Sequence, residues 1–341
     1  MNKINFWKNK NILITGVAGF VGSNLAKNLS NLGSNVIGIT QRKNKKNSLL
    51  FYENINKKIK IFYCDITDKE RINKIIKKHK IQICFHLAAQ VEVGLAKKDP
   101  YGTWESNVRG TYTLLELFRK NKKQIKAIII ASSDKAYGEY GLSKMPYNEK
   151  YPLKPIFPYD TSKACADMIA KTYASKLFNL PIIITRFSNI YGPGQLNFTA
   201  LIPGLIKSCI FNSRFKMRGN GKSIRDYIYI DDIVDIYRVL AKNLYLRPKK
   251  YSGEVFNAGT NNPYRTKTIL KNVFNFKKRN KELSKINKII KKNTTSGELQ
   301  IQYMNYNKLK KNFGWKPKYE FEKVLPEVFK WYEDYFKKIS P

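Results

Sequence analysis

The sequence predicts an α/β fold: a doubly wound parallel sheet with a smaller α/β region after it. Three observations carry this. Short apolar runs alternate with amphipathic stretches up to about residue 187, as in strand–helix–strand units that cover a parallel sheet on both faces. The first apolar run ends in a glycine-rich turn that opens a helix. From Asn189 onward the alternation gives way to a Gly/Pro loop and mixed segments.

Taken in order, "NILITG" reads as a strand and "VAGFVGSNLAKNLSNLG" as a helix closed by Gly33. "NVIGIT" is the second strand, and a lysine-rich loop leads to a third in "IKIFYCDITD". "KERINKIIKKHK" has helical period and "IQICFHLAA" is again a strand. A helix over "PYGTWESNVRGTYTLLELFRKNKK", the strand "IKAIII", the helix "YDTSKACADMIAKTYASKLF" and the strand "LPIIITR" complete the first part. "NIYGPGQLNF" is a loop, "ALIPGLIKSCIF" a helix, and "FEKVLPEVFKWYEDYFKKI" an amphipathic helix at the end. The stretch 267–293 is lysine-rich and weakly patterned, and is placed on the surface. Residues 1–188 are thus expected to bind a dinucleotide and carry the reactive groups. Residues 189–341 are expected to be mainly substrate-binding, with some segments returning to the first sheet.

A chain of 341 residues, 43% of them hydrophobic, can bury a sizeable core. It has no apolar run long enough to span a membrane, and its start lacks the apolar core of a secretory signal. Four scattered cysteines read as buried free thiols in a reducing cytoplasm. The two histidines, His79 and His86, leave little material for a metal site or a Ser-His-Asp triad, so no metal is expected. The formal charge of +39 is the usual footprint of nucleic-acid or acidic-membrane binding. Here the lysines are spread along the chain and rise together with Asn and Ile, as a bias toward AT-rich codons produces. No specific nucleic acid is therefore expected, although a positive field favours an anionic substrate.

"TGVAGFVG" places Gly16, Gly19 and Gly22 at three-residue intervals, with Phe20 and Val21 opening the helix. A tight turn, close backbone approach and close helix packing each need a residue without Cβ, and the helix N-terminus offers N–H groups to a pyrophosphate. This points to a nicotinamide dinucleotide. NAD normally finds a carboxylate at the second strand's end; here that place falls near Thr40, followed by Arg42 and Lys43. A guanidinium there suits the extra phosphate of NADP, so the reading leans to NADP. Asp65 and Ile66 are placed beside the adenine, and Leu87, Ala88, Ala89 and Gln90 at the cofactor's middle.

In "YDTSK", Tyr159 and Lys163 lie four apart at a helix start and share one face. A phenol of pKa ~10 is a poor base at neutral pH, and a neighbouring ammonium and a positive nicotinamide favour the phenolate. Such a pair alone recurs by chance in many chains. With the glycine turn and the strand end "ASSDKAYG", however, the chain resembles an extended short-chain dehydrogenase/reductase of the nucleotide-sugar epimerase/dehydratase type. The resemblance covers nearly the whole length, through "FHLAAQ", "SNVRGTYTLLE", "SSDKAYG", "PYDTSK", "RFSNIYGPG", "SIRDYIYIDDIVD" and "FGWKP".

The resemblance implies roles. Ser133 hydrogen-bonds the sugar's 4-hydroxyl, Tyr159 removes that proton, Lys163 holds the nicotinamide ribose, and Asn107 helps order the site. The cofactor stays tightly bound and is regenerated in each cycle. Asp134 and Lys135 stand where 4,6-dehydratases keep an acid/base pair. The order "SDK" is similar to CDP-glucose 4,6-dehydratases and some UDP-N-acetylglucosamine dehydratases, implying Asp134 as the acid toward carbon 6 and Lys135 as the base toward carbon 5. The implied activity oxidises carbon 4 transiently, eliminates water across carbons 5 and 6, and returns hydride to carbon 6, giving a 4-keto-6-deoxy sugar for surface polysaccharide.

The chain departs from the CDP-glucose pattern in two places. The insert before the tyrosine is shorter, and "SIRDYIYIDD" replaces "IRPWQHV". The second strand's end resembles GDP-mannose 4,6-dehydratases instead, so the nucleotide (CDP, GDP, UDP or dTDP) stays open. The alternatives are a 4-epimerase, with Asp134 and Lys135 as a surface ion pair, or a non-catalytic cofactor-sensing or nucleic-acid-binding protein. On the substrate side, the resemblance implies diphosphate contacts from Asn189 and Arg225. It also implies backbone of Leu201 and Ile202 near the base, Lys207 on a phosphate, and Gln90 toward the sugar. Arg186 reads equally as an ion-pair residue, Asp231 and Asp232 as helix caps, and Trp315 as core. A homodimer, possibly extended to a tetramer, is implied through the helices that begin near Trp104 and Tyr159.

Overall fold

The structure is a computed structural model that describes residues 5–41, 48–215, 217, 219–279, 281 and 299–339. Seven strands form one sheet: β1 (Asn11–Thr15), β2 (Asn35–Thr40), β3 (Lys60–Tyr63), β4 (Ile83–His86), β5 (Ala127–Ala131), β6 (Ile182–Phe187) and, later in the chain, Val255–Ala258. Their order is Val255–Ala258, β6, β5, β4, β1, β2, β3, and the pairs from β6 to β3 are parallel. The order reverses at β1, which lies between β2 and β4. Ile12 faces Val36 on one side and Ile83 on the other. Ligands bind outside the carboxyl ends of the strands at such a switch point. The strands are runs of Ile, Leu and Phe because both faces are covered; Leu13, Ile37, Cys84 and Ile128 join Leu114, Leu117 and Phe118 in one buried cluster.

The helices on this sheet are α1 (Phe20–Asn31), the short α2 (Leu49–Tyr52), α3 (Lys69–Lys78), α4 (Val93–Lys98), α5 (Pro100–Trp104), α6 (Gly110–Lys120) and α7 (Pro158–Ala174). Local signals fix their ends. α3 is capped by Asp68, which accepts from the Arg71 N–H at 3.0 Å, and it closes on Lys77 and Lys78, the charge order its dipole favours. α1 is followed by Gly33 at φ +80°. The single helix expected from Pro100 to Lys123 is instead two helices joined by one π-helical turn over Glu105–Arg109. There the Thr111 hydroxyl donates to the Asn107 carbonyl at 2.6 Å. Gly110 lets Ile66 pack so close that a Cβ would lie 2.5 Å from its Cγ2. π turns inside α-helices favour functional positions, and this one carries Asn107.

The first compact unit takes in residues 1–138, 149–186 and 233–257. The second takes in 139–148, 187–232 and 258–341. Its strands are β7 (Asn189–Tyr191), β8 (Ile224–Arg225) and β9 (Tyr227–Tyr229); with β10 as Val255–Ala258, β11 (Tyr264–Arg265) and β12 (Ile301–Gln302) follow. β7 pairs with β9 in parallel, while β8 pairs with β11 antiparallel and with β12 parallel. Later helices are α8 (Leu201–Ile210), α9 (Ile230–Leu246), α10 (Pro248–Tyr251), α11 (Thr266–Phe276), α12 (Asn307–Phe313) and α13 (Phe321–Ile339). α11 corrects the placing of the weakly patterned stretch 267–293 on the surface: Ile269, Leu270, Val273 and Phe274 are buried on one helical face. The intervening Lys and Asn residues obscure that period in the sequence. Residues 280 and 282–293 lie outside the described residues.

Candidate active site

The glycine turn fits a dinucleotide phosphate on its own geometry. Gly16 has φ +70°, and a Cβ there would stand 2.8 Å from the Ala88 nitrogen. One on Gly22 would stand 2.3 Å from the Gly16 carbonyl. Gly19 caps α1 without a side chain, and no acid stands in the first turn, so the N–H groups around Phe20 and Val21 face an open cradle. The end of β4 is tied to this turn: the N–H groups of Leu87 and Ala88 both donate to the Thr15 hydroxyl at 3.1 Å.

Beyond the second strand, Thr40 is buried at the end of β2 and Gln41 donates to Asp65. Asp65 also accepts from the N–H of Thr67 at 2.7 Å, and Ile66 is buried. Arg42 lies outside the described residues, so the lean toward NADP has no described cation behind it.

Ser133, Asp134 and Lys135 come together where β5 ends. Ser133 caps a 3₁₀ turn over Asp134–Tyr137, its hydroxyl accepting from the Lys135 N–H at 3.2 Å and donating to Asp134 Oδ1 at 3.0 Å. Tyr159 and Lys163 reach the same place from the start of α7, and the Tyr159 hydroxyl hydrogen-bonds Ser133. Asp134 is buried rather than part of a solvated surface pair. Burial pushes the Tyr159 phenol above its ordinary value; the Ser133 hydrogen bond opposes this, and the charges of Asp134 and Asp160 add to it. Lys163 does not offset this burial in the protein alone; the expected lowering also calls on the positive nicotinamide. Lys163 is pulled down to about 8 by burial, and its ammonium donates to the Ala131 carbonyl at 2.7 Å.

Several side chains that complete the site were not singled out from the sequence. Thr111 gives its proton to Asn107, so its oxygen accepts from His86 Nε2 at 3.0 Å, and His86 Nδ1 then accepts from Thr15 at 2.8 Å. Burial lowers His86 to about 3, so it works as a neutral strut and not as an acid. Asn107 in turn holds both backbone groups of Gln90, at 2.8 and 3.0 Å, and donates to Ser162, which donates to the Tyr159 carbonyl at 2.7 Å. One hydrogen-bonded chain thus runs from the glycine strand to the backbone of Tyr159. Asp160, next to Tyr159, is buried and its carboxyl rises to about 6, through burial first, opposed by Lys135 and reinforced by Asp134.

Arg186 takes the ion-pair reading: it clasps Asp167 of α7 through two bonds of 2.7 and 2.9 Å and lies 4.7 Å over the Tyr137 ring. The Tyr137 hydroxyl donates to Asn257 at 2.8 Å.

In the second unit, the Asn189 amide donates to the Asp226 carbonyl at 3.2 Å. Leu201 and Ile202 open α8, and the Lys207 ammonium lies 5.0 Å over the Phe198 ring. Arg225 is buried, with its guanidinium donating to the carbonyls of Ile224, Gln300 and Leu299. Asp231 and Asp232 lie in the first turn of α9, where Asp232 also accepts from the N–H groups of Lys318 and Tyr319, and Trp315 is core. Among the described residues no helix is long and apolar enough to cross a membrane, and no group of three or more His, Cys, Asp or Glu could hold a metal.

The model of the family described as GDP-mannose 4,6 dehydratase matches residues 13–328. The chain belongs to that family. Among its 4,6-dehydratase relatives, a dTDP-D-glucose 4,6-dehydratase of Dictyostelium discoideum is 36% identical over 77% of this chain. The match spans 61% of that protein, less than two thirds of its length. A CDP-glucose 4,6-dehydratase of Salmonella typhimurium is 29% identical over 96% of this chain and 92% of its own. A dTDP-glucose 4,6-dehydratase from Bacillus anthracis, solved in complex with NAD, superposes with a TM-score of 0.81 at 31% identity, covering 96% of this chain and 98% of that one. A UDP-glucose 4-epimerase from Thermotoga maritima, solved with UDP-glucose, gives 0.80 at 27% identity, covering 95% and 98%. Dehydratases and epimerases thus share this fold, so the fold alone does not separate the two chemistries.

Proposed function

We propose that this chain is a nucleotide-sugar 4,6-dehydratase, a lyase that converts an NDP-hexose to an NDP-4-keto-6-deoxyhexose. The observation that carries the reading is the Asp134–Lys135 couple, held next to Ser133 and Tyr159 by the 3₁₀ turn, with Asp134 buried. A 4-epimerase needs one base at carbon 4. Elimination also needs an acid and a base with separate roles. In the proposed cycle Tyr159 takes the proton of the 4-hydroxyl, Lys135 takes the proton from carbon 5, and Asp134 protonates the hydroxyl leaving carbon 6. Lys135 then returns its proton to carbon 5.

The cradle at Gly16, Gly19 and Gly22 and the ends of β2 and β4 fit a nicotinamide dinucleotide, with Lys163 at its ribose. Bound there, the cofactor would store the two electrons removed at carbon 4 until their return at carbon 6. The NAD bound in the Bacillus anthracis neighbour supports a nicotinamide. The NADP form rests on the missing carboxylate near Thr40 and on Arg42 and Lys43 after it. If it is right, Arg42→Ala weakens NADP about tenfold or more, the loss of one charge-assisted contact, and leaves NAD untouched.

Gln90 is proposed to face the sugar, and Asn189, Leu201, Ile202 and Lys207 the nucleotide. Arg225, whose guanidinium also donates to three carbonyls, is proposed to join them at the diphosphate. A cytoplasmic homodimer completes the proposal: Tyr101, Trp104 and Tyr112 of the α5–α6 segment and Met168 of α7 are exposed apolar side chains, 43 to 73% accessible. Sedimentation of native protein against Trp104→Glu checks that point.

The deciding experiment is product mass after incubation with CDP-glucose, GDP-mannose, UDP-N-acetylglucosamine and dTDP-glucose. Loss of one water from one of them is expected. Asp134→Asn and Lys135→Met should each cut that turnover by ~10²–10⁴-fold while reduced nicotinamide still forms. Unchanged mass with a new stereoisomer would make the chain an epimerase, the reading its Thermotoga maritima neighbour favours.

A further inference from the structure

The proposed cycle leaves two groups of the enzyme in the wrong protonation state. Tyr159 gains the proton of the 4-hydroxyl. Asp134 loses one to the departing water. Lys135 takes a proton from carbon 5 and gives one back, so it ends unchanged, and the two electrons removed at carbon 4 return at carbon 6. The substrate has lost one water in all. The enzyme is therefore left with one proton too many on Tyr159 and one too few on Asp134. A carboxylate cannot protonate the next leaving hydroxyl, and a neutral phenol cannot accept the next hydroxyl proton. Every turnover must be followed by net movement of one proton from Tyr159 to Asp134.

Between these two groups stands the hydroxyl of Ser133. A serine hydroxyl has one proton to donate and two lone pairs to accept with, and all three are engaged here. Ser133 Oγ donates to Asp134 Oδ1 at 3.0 Å, accepts from the Lys135 N–H at 3.2 Å, and is hydrogen-bonded to the Tyr159 hydroxyl. With its one proton on Asp134, Ser133 accepts from a neutral Tyr159 phenol; with Tyr159 ionised the serine donates to the phenolate instead, the arrangement through which this bond lowers the Tyr159 pKa. While the phenol is neutral the chain therefore runs Tyr159 O–H to Ser133 O–H to the Asp134 carboxylate, which is the direction the reset requires. Ser133, Asp134 and Tyr159 are all buried.

We propose that Ser133 is the proton-return relay of this enzyme, handing the proton captured at carbon 4 from Tyr159 to Asp134 after each elimination. In that step the Tyr159 O–H bond breaks and its proton forms a bond to Ser133 Oγ. The Ser133 proton moves to Asp134 Oδ1 and forms the carboxylic acid. Ser133 is unchanged, Tyr159 is a phenolate and Asp134 is an acid, which is the state that begins the next cycle. The reverse arrangement of donors uses the same three oxygens, so no heavy atom has to move. The hydrogen bond to the Lys135 N–H fixes the serine oxygen in place for both arrangements.

This inference rests on the dehydratase reading, and the test separates the two. Native holoenzyme, Ser133→Ala and Ser133→Thr are mixed with the sugar nucleotide that the product panel selects. Product is sampled from the first turnover onward, and an indicator dye in weak buffer records protons in the medium. The net reaction exchanges no proton with water, so the native trace should be silent. Ser133→Ala is expected to form one product per site, more slowly than native, and then to fall at least tenfold below its own first-turnover rate. Asp134 must now draw its proton from the medium and Tyr159 must release its own to it, two separate exchanges that cancel only when both are complete, so the later rate should depend on pH and the dye should report a transient imbalance after the first elimination. Ser133→Thr keeps the hydroxyl and should restore a linear course and a silent dye.

A role for Ser133 confined to capping the turn or orienting the sugar would slow first and later turnovers equally, with no dye signal, and that result overturns the relay. A pause after the first turnover that is independent of pH, with a silent dye, marks slow product release and also overturns it. If native enzyme yields no product lighter by one water, the dehydratase reading falls, and the relay falls with it.

Discussion

Lys163 is buried with its ammonium against the Ala131 carbonyl, and burial brings its pKa to about 8. A lysine that must be charged to hold a ribose is then lost within the working pH range. kcat/KM, which reports groups of the enzyme before substrate binds, should fall above a pH near 8. In Lys163→Arg the activity will be lower, but that falling limb should vanish, since a guanidinium stays charged; a limb unmoved in this variant would assign it to another group.

Asp160 makes the complementary case for stability. Its folded carboxyl, at about 6, lies above its ordinary 3.8, so the folded protein keeps this proton after the unfolded chain has lost it. Stability therefore falls as pH rises from about 4 to about 6 and stays lower beyond. Asp160→Asn cannot ionise, so its stability relative to the native protein should grow across that interval by up to ~3 kcal/mol. Urea unfolding at pH 4 and pH 7 measures this, and an equal difference at both would refute it. The legibility of the site follows the same divide. Ser133, Tyr159 and Lys163 were readable because strand end and helix start place them by short-range rules. Asp160 stands inside the quoted motif and His86 inside another, yet their inward packing against Lys135 or Thr15 depends on contacts between distant segments.

The elements that carry the chemistry are held by one buried charged cluster. Arg186 on β6 clasps Asp167 on α7, and its guanidinium lies over Tyr137, the last residue of the turn that begins with Asp134. The helix that presents Tyr159 and the turn that presents Asp134 and Lys135 thus share an anchor. Arg186→Ala would leave the buried Asp167 carboxylate with only the half-exposed Lys171 ammonium at 3.8 Å, costing about 3 kcal/mol. The double change Arg186→Met with Asp167→Leu should recover most of that in urea unfolding, because the cost lies in the orphaned charge and not in the lost pair. If the double variant is no more stable than Arg186→Ala, packing around the guanidinium is what matters.

Strands such as β1, β2, β5 and β6 were legible because a strand buried on both faces must be apolar throughout. α11 was not, because Lys267, Lys271 and Asn272 on its polar side break up the apolar residues in the linear sequence. The π turn at Asn107 was not legible either. It is set by the Thr111 hydroxyl and the close approach of Ile66 to Gly110, neither of which has a sequence period.

Across the whole molecule the charge is the feature least tied to any element. There are 64 Lys and Arg against 25 Asp and Glu, so even complete one-to-one pairing leaves a surplus of 39. The ion pairs at exposed positions, such as Lys323–Glu320, contribute little to stability, so the surplus acts chiefly through its field. A nucleotide sugar carries its negative charge on the diphosphate, and a positive field raises its encounter rate. The chemistry, once substrate is bound, takes place among buried groups that salt screens far less. The two constants should therefore part company. Raising ionic strength from 0.01 to 0.15 M shortens the screening length from about 30 to about 8 Å, which should lower kcat/KM severalfold and leave kcat nearly constant. Replacing lysines far from Ser133 in groups of four by glutamine should flatten that salt dependence step by step without altering kcat. A kcat that falls in parallel with kcat/KM would mean that salt acts on the catalytic groups themselves. Salt-independent kcat/KM would mean that the surplus charge has no bearing on substrate capture, leaving codon bias as its whole explanation.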